Sequence, residues 1–174
     1  MNSNGPTPDI WRKVALKRLK LYMEQNRYEI IEPNYVSVLA LFNKIIDTAI
    51  LDQPLSYSQW LTEITIIGSD GGPLAVMPPW DKEASTSIST ILEFLTLFSL
   101  MKYGFAATAF VSNESTTYAG FPSAYFSTFL ENLRIGQDYK PTLSLAAHKK
   151  MVLGHRTSAH SYFKDNPQRL QKFE

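Results

Sequence analysis

The sequence predicts an α+β domain of two layers, in which a mostly antiparallel sheet of about four to five strands surrounds a buried central helix and follows an N-terminal helical pair. Three observations support this fold class. A glycine-rich turn at residues 69–72 separates two short runs of β-branched or apolar residues. A long apolar segment at helical spacing follows Asp81. Small and apolar residues, typical of a strand covered on both faces, follow Gly104.

The helical pair lies at the start of the chain. Residues 1–8 are rich in turn-forming residues and predict a flexible arm. Asp9 is expected to cap a helix over residues 10 to about 26, which has apolar residues on one side and lysines on the other. A second helix is predicted to start after Glu32-Pro33-Asn34, where proline suits a first turn, and to run to about Leu51.

The next segment predicts a β-hairpin and then the central helix. Residues 62–68 (TEITIIG) and 73–77 (PLAVM) form the two predicted strands on either side of the glycine-rich turn. Asp81 is expected to cap the helix, and Gly104 is expected to end it. Charged and hydroxyl side chains interrupt this apolar helix, so no membrane span is predicted.

The remaining residues predict one more helix and three more strands. Residues 105–112 (FAATAFVS) predict a strand. Ser123 is expected to cap a short aromatic helix that ends at Gly136. Residues 141–149 and 155–163 predict a second hairpin. The alternative fold is a mainly α bundle in which this last region is helical.

The composition excludes several classes of protein. With 174 residues, 44% of them hydrophobic, the chain is long enough for one packed domain, which is predicted over residues 9–174. It contains no cysteine. That excludes a disulfide framework, a zinc–thiolate site and a cysteine nucleophile, and it favours a cytoplasmic location. No signal peptide is predicted, because basic residues interrupt the first apolar stretch.

Three histidines, His148, His155 and His160, are the candidates for a metal site. Zinc needs three or four convergent ligands. In the predicted hairpin His148 and His160 share a face while His155 points away, so the sequence predicts no metal and no other cofactor. No catalytic residue is assigned, because the chain lacks GxSxG and HExxH motifs and a phosphate-binding glycine loop.

Basic residues are concentrated towards both ends of the chain. Residues 1–50 carry seven basic and five acidic side chains, residues 51–130 two and seven, and residues 131–174 eight and four. The candidate residues for binding nucleic acid or a protein partner are Lys13, Lys17, Arg18, Lys20, Lys149, Lys150 and Arg156. Such cations contact phosphates or acidic side chains without sequence selectivity. The simpler interpretation is that they are solvated surface residues.

The lack of a convergent catalytic set favours a non-enzymatic cytoplasmic accessory protein that binds another protein, with nucleic acid as a further partner. The aromatic residues Tyr118, Phe121, Tyr125 and Phe126 are an additional candidate for a partner-binding edge. One alternative is a structural or assembly component of a virus or phage, because oppositely charged regions suit contacts between copies in a homo-oligomer. The other is a small hydrolase that uses one of the three histidines.

Overall fold

The computed structural model describes residues 6–25, 28–115, 117–136 and 143–174. Within these residues the chain is mainly helical and contains one two-stranded parallel sheet. The predicted α+β domain with four to five mostly antiparallel strands is therefore wrong, and the mainly α alternative fits. Residues 1–5 of the predicted arm lie outside the described residues, as do residues 141–142 at the start of the second predicted hairpin.

Helices form most of the described chain. Their bounds are α1 Pro8–Glu24, α2 Tyr28–Ile31, α3 Tyr35–Leu51, α4 Tyr57–Leu61, α5 Lys82–Tyr103, α6 Ala124–Ile135 and α7 Leu145–Asp165. Two turns of 3₁₀ helix lie at Glu32–Asn34 and Ala107–Phe110. The strands β1 (Leu55–Ser56) and β2 (Val111–Ser112) pair in parallel.

The predicted ends of the central helix are confirmed. Asp81 is the N-cap of α5, and its Oδ1 accepts a hydrogen bond from the Ala84 N–H at 2.8 Å. The helix ends at Gly104, whose φ of 81° lies in the left-handed region. A side chain there would be strained, and a Cβ would also lie 2.6 Å from Cβ of Pro8. α6 likewise ends at the predicted glycine, Gly136.

α1 begins slightly before its predicted start. Thr7 is its N-cap, whereas Asp9, the predicted cap, lies in the first turn and pairs with Arg12 at 3.0 Å. The predicted apolar side of α1 is narrower than expected. Trp11, Ala15, Leu19 and Tyr22 are buried, but Leu16 and Met23 are 45% and 57% exposed.

The first predicted hairpin has its turn but not its strands. Antiparallel pairing across the turn at residues 69–72 is limited to an isolated bridge between Ile67 and Pro73. The side chain of Asn34 hydrogen bonds to both main-chain groups of Ile67. It accepts from the N–H at 2.7 Å and donates to the carbonyl at 3.1 Å. Because these backbone groups are satisfied by a side chain, no strand ladder is needed.

Residues 105–112 are buried, as expected for a covered strand, but they form a 3₁₀ turn followed by the short strand β2. Side chains of the flanking helices again replace a partner strand. The Ala107 N–H donates to Ser99 Oγ at 3.0 Å, and the Ala106 N–H donates to Nδ1 of His155 at 2.9 Å. The prediction of a strand over the whole segment is therefore wrong.

The second predicted hairpin is also wrong, because its described residues belong to the single helix α7. The Ser144 Oγ caps this helix by accepting from the Ala147 N–H at 3.1 Å. The buried residues include His148, Val152 and His155, which recur at helical spacing. This helical period includes the two histidines, so it is visible only when they are counted among the buried residues.

The centre of the molecule is the 3₁₀ turn Ala107–Phe110, which contacts α3, α5 and α7. α1 packs along α5. Within this core, the hydroxyl groups of Thr96 and Thr108 hydrogen bond at 2.6 Å. The fold therefore surrounds a short irregular segment with helices rather than placing a sheet against one helix.

Two stretches, Tyr28–Leu51 and Lys82–Tyr103, have the length and mean hydropathy of a membrane span. In Lys82–Tyr103, 61% of the most apolar 18 residues are buried inside the fold. In Tyr28–Leu51 the corresponding share is 44%. A core helix of a water-soluble protein meets the same criteria. Length and hydropathy therefore do not assign either stretch to a membrane.

Candidate binding cleft

A cleft of about 1010 Å³ opens between α1 and α6. Pockets that bind small ligands typically measure about 300–1,000 Å³, so this cleft is large enough for a ligand or for part of a protein segment. The lining residues of α1 recur at helical spacing and are Val14, Lys17, Arg18, Leu21 and Gln25. The facing wall of α6 includes Tyr125, Thr128, Phe129, Asn132 and Leu133.

Cations predominate among the charged lining residues. Lys17 is exposed and Arg18 is half-buried on α1, and Arg134 lies on α6, where it pairs with Glu131 at 2.7 Å. The acidic group in the cleft is Glu93 of α5, which accepts a hydrogen bond from the Tyr125 hydroxyl. Among the described lining residues, basic side chains therefore outnumber acidic ones, and Lys17 is the exposed cation of the α1 wall.

Large apolar side chains lie exposed in the same cleft. Leu21 of α1 and Ile135 of α6 are each 39% exposed, and Tyr125 is 52% exposed. These residues come from both walls, so the exposed apolar surface belongs to the cleft and not to one helix. Such a surface beside polar groups is typical of a binding site.

Asn132 contributes a buried polar atom to the α6 side of the cleft. Its Oδ1 has no hydrogen-bond partner among the described residues. Leaving a buried acceptor unpaired costs about 1–3 kcal/mol. A partner that supplied an N–H or O–H group would remove this cost.

His148 and Ser127 form a buried pair on the wall of the cleft. The His148 Nε2–H donates to the Pro122 carbonyl at 2.9 Å, because a carbonyl can only accept. Nδ1 lies 2.8 Å from the Ser127 Oγ and, in the neutral ring, accepts a hydrogen bond from the Ser127 hydroxyl. Burial lowers the pKa of His148, and the charges of Arg156 and Lys149 lower it further, against the opposing effect of the Pro122 carbonyl. The neutral ring is therefore favoured at pH 7.

The structure brings some of the predicted binding residues together. Of these residues, Lys17 and Arg18 of α1 line the cleft, and the third residue there from the predicted sets is His148, a metal candidate from the other end of the sequence. Lys13 and Lys20 are exposed on α1 outside this lining. On α7, Lys150 is exposed and Lys149 is half-buried, with its ammonium 5.1 Å from the centre of the Phe121 ring.

Arg156, the remaining predicted binding residue, points into the protein. Only 8% of it is exposed, and its guanidinium donates to the carbonyls of Ala109 at 2.8 Å and Gly120 at 2.7 Å. Burial lowers its pKa to about 10, against the opposing effect of Asp52, so it remains charged at neutral pH. Arg156 therefore joins the central turn to the loop before α6 and does not extend a surface patch.

The other two histidines have separate partners. The Nδ1 of His155 accepts from the Ala106 N–H, and the Nδ1–H of His160 donates to the Ala49 carbonyl at 2.8 Å. Within the described part of the chain, no group of three or more metal-ligating side chains converges. The three histidines thus serve three different regions of the core.

The sequence offered a weak signal for the α6 wall of the cleft. Tyr125 belonged to the aromatic cluster predicted as a partner-binding edge, and it does line the cleft with Tyr118. Ser127, Asn132 and Glu93 were not predicted. Their importance depends on α1, α5 and α7 lying beside α6, which no local pattern encodes.

Comparison with known proteins adds no relative: the chain matches no family model, no curated protein and no solved structure.

Proposed function

We propose that this chain is a non-enzymatic accessory protein that binds an acidic, partly apolar segment of a partner protein in the α1–α6 cleft. The observation that carries the proposal is the combination of the exposed Lys17 with the exposed side chains of Leu21 and Ile135 in one cleft. Cations select acidic residues, and buried apolar contacts supply affinity.

Nucleic acid is the less favoured partner for this cleft. Phosphates would meet Lys17 and Arg18, but Lys13 and Lys20 lie outside the lining, and much of the wall is apolar. A phosphate backbone gains little from aliphatic side chains such as Leu21 and Ile135. An acidic amphipathic segment would use both properties of the cleft.

Photo-crosslinking in cells tests the proposal. A benzophenone amino acid at Thr128 would lie in the cleft, and the same residue at Val36, which is 80% exposed on α3, is the matched control. We expect the Thr128 position to crosslink a protein through a segment that is rich in Asp or Glu and contains apolar residues. Crosslinks at Thr128 that do not exceed those at Val36, or that map to nucleic acid, would contradict the proposal.

A charge reversal makes this test specific to the cleft. Lys17→Glu should abolish the crosslink, whereas Lys13→Glu, on the same helix but outside the lining, should leave it. Equal effects of the two substitutions would show a general response to charge and not recognition in the cleft.

The proposal includes the cytoplasmic location that a cysteine-free sequence favours. Cell fractionation tests it, since a tagged protein that sediments with membranes and resists extraction by salt or alkali would contradict this location. The two apolar stretches Tyr28–Leu51 and Lys82–Tyr103 make this measurement informative.

A small hydrolase is the second candidate function, because the hydroxyl of Ser127 lies 2.8 Å from an imidazole nitrogen of His148. In that reaction the Ser127 Oγ would attack a substrate carbonyl carbon while its proton passed to His148 Nδ1, and the leaving alcohol or amine would depart with that proton. Water would then hydrolyse the acyl-serine to the free acid and restore the Ser127 hydroxyl. Two features disfavour it: the group that orients His148 is a carbonyl and not a carboxylate, and Ser127 is 1% exposed.

A fluorophosphonate probe distinguishes the two functions. Labelling of Ser127 that the His148→Asn substitution prevents would support hydrolysis. If the probe does not label Ser127 and the Thr128 position still crosslinks an acidic segment, the result would support binding and contradict hydrolysis.

A further inference from the structure

Residues 167–174, here called segment 167–174, follow α7 without forming a helix or a strand. The segment lies against α3 and α5, which together form the α3–α5 groove. Its contacts with the groove involve both its main chain and its side chains, and they are of two kinds.

The main-chain contacts come from two polar side chains of α3. The Asn43 amide pairs with both main-chain groups of Leu170, donating to its carbonyl at 2.9 Å and accepting from its N–H at 2.8 Å. The Tyr35 hydroxyl accepts from the Phe173 N–H at 2.9 Å. Contacts of this kind recognise the main chain of a segment and set its register, whatever its side chains are.

The side-chain contacts select particular residues. The Phe173 ring packs edge-on against Phe98, Phe94 and Tyr35, with centroid distances of 4.8, 5.2 and 5.4 Å. Leu170 is a second, partly buried apolar anchor. The Arg169 guanidinium pairs with Asp47 of α3 at 2.6 Å, at an exposed position. The groove therefore favours leucine and a phenylalanine three residues after it, with a weaker preference for a basic residue before the leucine.

We propose that the α3–α5 groove is a recognition site for a segment of a partner protein with this pattern, and that segment 167–174 occupies the groove until such a segment displaces it. The contacts that hold the segment belong to α3 and α5, not to α7, the helix from which it emerges. A segment supplied by another molecule can make the same contacts, because they do not depend on the covalent link.

The tethered segment is a strong competitor, since a short link gives it an effective concentration in the millimolar range. A second copy of this chain would offer an identical segment and gain no contact by exchange. The displacing molecule is therefore a different protein, whose segment has the same pattern and binds more tightly. This site is separate from the α1–α6 cleft and does not depend on the function proposed there.

Peptide binding to the full-length protein tests the proposal. The probe is a fluorescein-labelled peptide of residues 166–174, Asn-Pro-Gln-Arg-Leu-Gln-Lys-Phe-Glu. In the double variant Leu170→Ser/Phe173→Ser the groove should be vacant, and we expect it to bind the peptide at least tenfold more tightly than the unmodified chain does. A peptide with serine in place of its leucine and phenylalanine should not bind.

A groove substitution and a rim substitution provide matched controls. In the double-variant background, Asn43→Leu should weaken peptide binding at least tenfold, because both main-chain bonds are lost. Asp47→Asn should change it less than threefold, since the ion pair is exposed. A double variant that keeps its helical circular dichroism but does not bind the peptide would overturn the proposal.

Hydrogen exchange on the unmodified chain is a second test that needs no variant. The Leu170 and Phe173 amides should exchange at least a hundredfold faster than the buried Ala106 amide, because a displaceable segment opens locally. Equal protection would make segment 167–174 a permanent part of the core and overturn the proposal. A dimer of the unmodified chain that Phe173→Ser abolishes would make a second copy the occupant, and it would overturn the proposal as well.

Discussion

The imidazole of His155 accepts a hydrogen bond from the backbone N–H of Ala106 at 2.9 Å. A titratable ring is therefore bonded to the buried segment that connects α5 to β2. Protonation of the ring would place a hydrogen on Nδ1, the acceptor atom, and break this bond. The ring also lies beside Trp11 of α1 and Phe126 of α6, with centroid distances of 5.8 and 6.1 Å. His155 is therefore a structural residue whose charge state affects stability.

The first prediction concerns the pH dependence of stability. Burial lowers the pKa of His155 from 6.5 to about 4. Between these values the unfolded chain binds a proton that the folded protein does not, so the free energy of unfolding falls as the pH falls from 6.5 towards 4. At about 1.4 kcal/mol per pKa unit, the full loss is about 3 kcal/mol. At pH 5, which is 1.5 units below 6.5, the expected loss is about 2 kcal/mol, and urea unfolding at pH 7.5, 6 and 5 measures this fall.

The control for this prediction is His155→Asn, which retains an acceptor for the Ala106 N–H but does not titrate. We expect lower stability at pH 7.5 and a shallower fall towards pH 5. The pKa of His148 is also lowered, so His148 makes the free energy of unfolding fall towards acid pH in both the unmodified protein and the His155→Asn variant. Identical slopes for the two proteins would show that His155 does not carry the effect.

The second prediction separates buried from exposed cations on α7. Arg156→Met removes the donors for the Ala109 and Gly120 carbonyls, and we expect it to lower the free energy of unfolding by about 3 kcal/mol. Lys150→Met, at an exposed position of the same helix, should change it by less than about 0.5 kcal/mol. Chemical denaturation of the two variants tests this, and similar losses would contradict the structural role of Arg156.

The third prediction compares two glycines under the same substitution. Gly104→Ala should destabilise the protein by more than about 1 kcal/mol, because φ is positive and the new Cβ would lie 2.6 Å from Cβ of Pro8. Gly154→Ala should stabilise it by up to about 1 kcal/mol, since α7 is helical there and a Cβ would meet nothing within 4 Å. Thermal unfolding of the two variants measures the direction of each change in stability. A destabilising Gly154→Ala would argue against a helix at that position.

The fourth prediction tests the nucleic-acid alternative. If Lys13, Lys17 and Lys20 contact phosphates, binding of single-stranded DNA should weaken steeply with salt. Their replacement by glutamine should then reduce the slope of log K against log salt by about 2, at about 0.7 per contact. The matched control replaces the exposed Lys82, Lys164 and Lys172 by glutamine. Equal changes in slope for the two triple variants would count against a specific role for the α1 lysines.

Local features of this chain could be predicted from its sequence. The N-cap Asp81 and the C-terminal glycines Gly104 and Gly136 act on the backbone within one turn of their own position, so their effect is visible in a short stretch of sequence. The exposed lysines of α1 follow from helical period alone. The sequence of α7 also has buried residues at helical spacing, but this spacing becomes visible only when His148 and His155 are counted as buried.

The predicted strands failed for a reason that lies outside their own sequence. Residues 62–68 and 105–112 have the β-branched or small apolar residues of strands, yet their backbone groups bond to side chains distant in sequence. Asn34 pairs with Ile67, and His155 pairs with Ala106. A pattern of residues can show that a segment is apolar and buried, but it does not show which group will satisfy each N–H and C=O.

By itself, the sequence determined where several helices begin and end, the cationic side of α1, and the absence of thiol chemistry, because each depends on composition or on neighbours within a turn. Tertiary structure alone decided that Arg156 faces inward, that Lys17, Arg18 and His148 share a cleft, and that Phe173 lies in an aromatic groove. These relationships join residues far apart in the chain. They exist because buried polar groups must find partners and apolar faces must be covered, wherever in the sequence those partners lie.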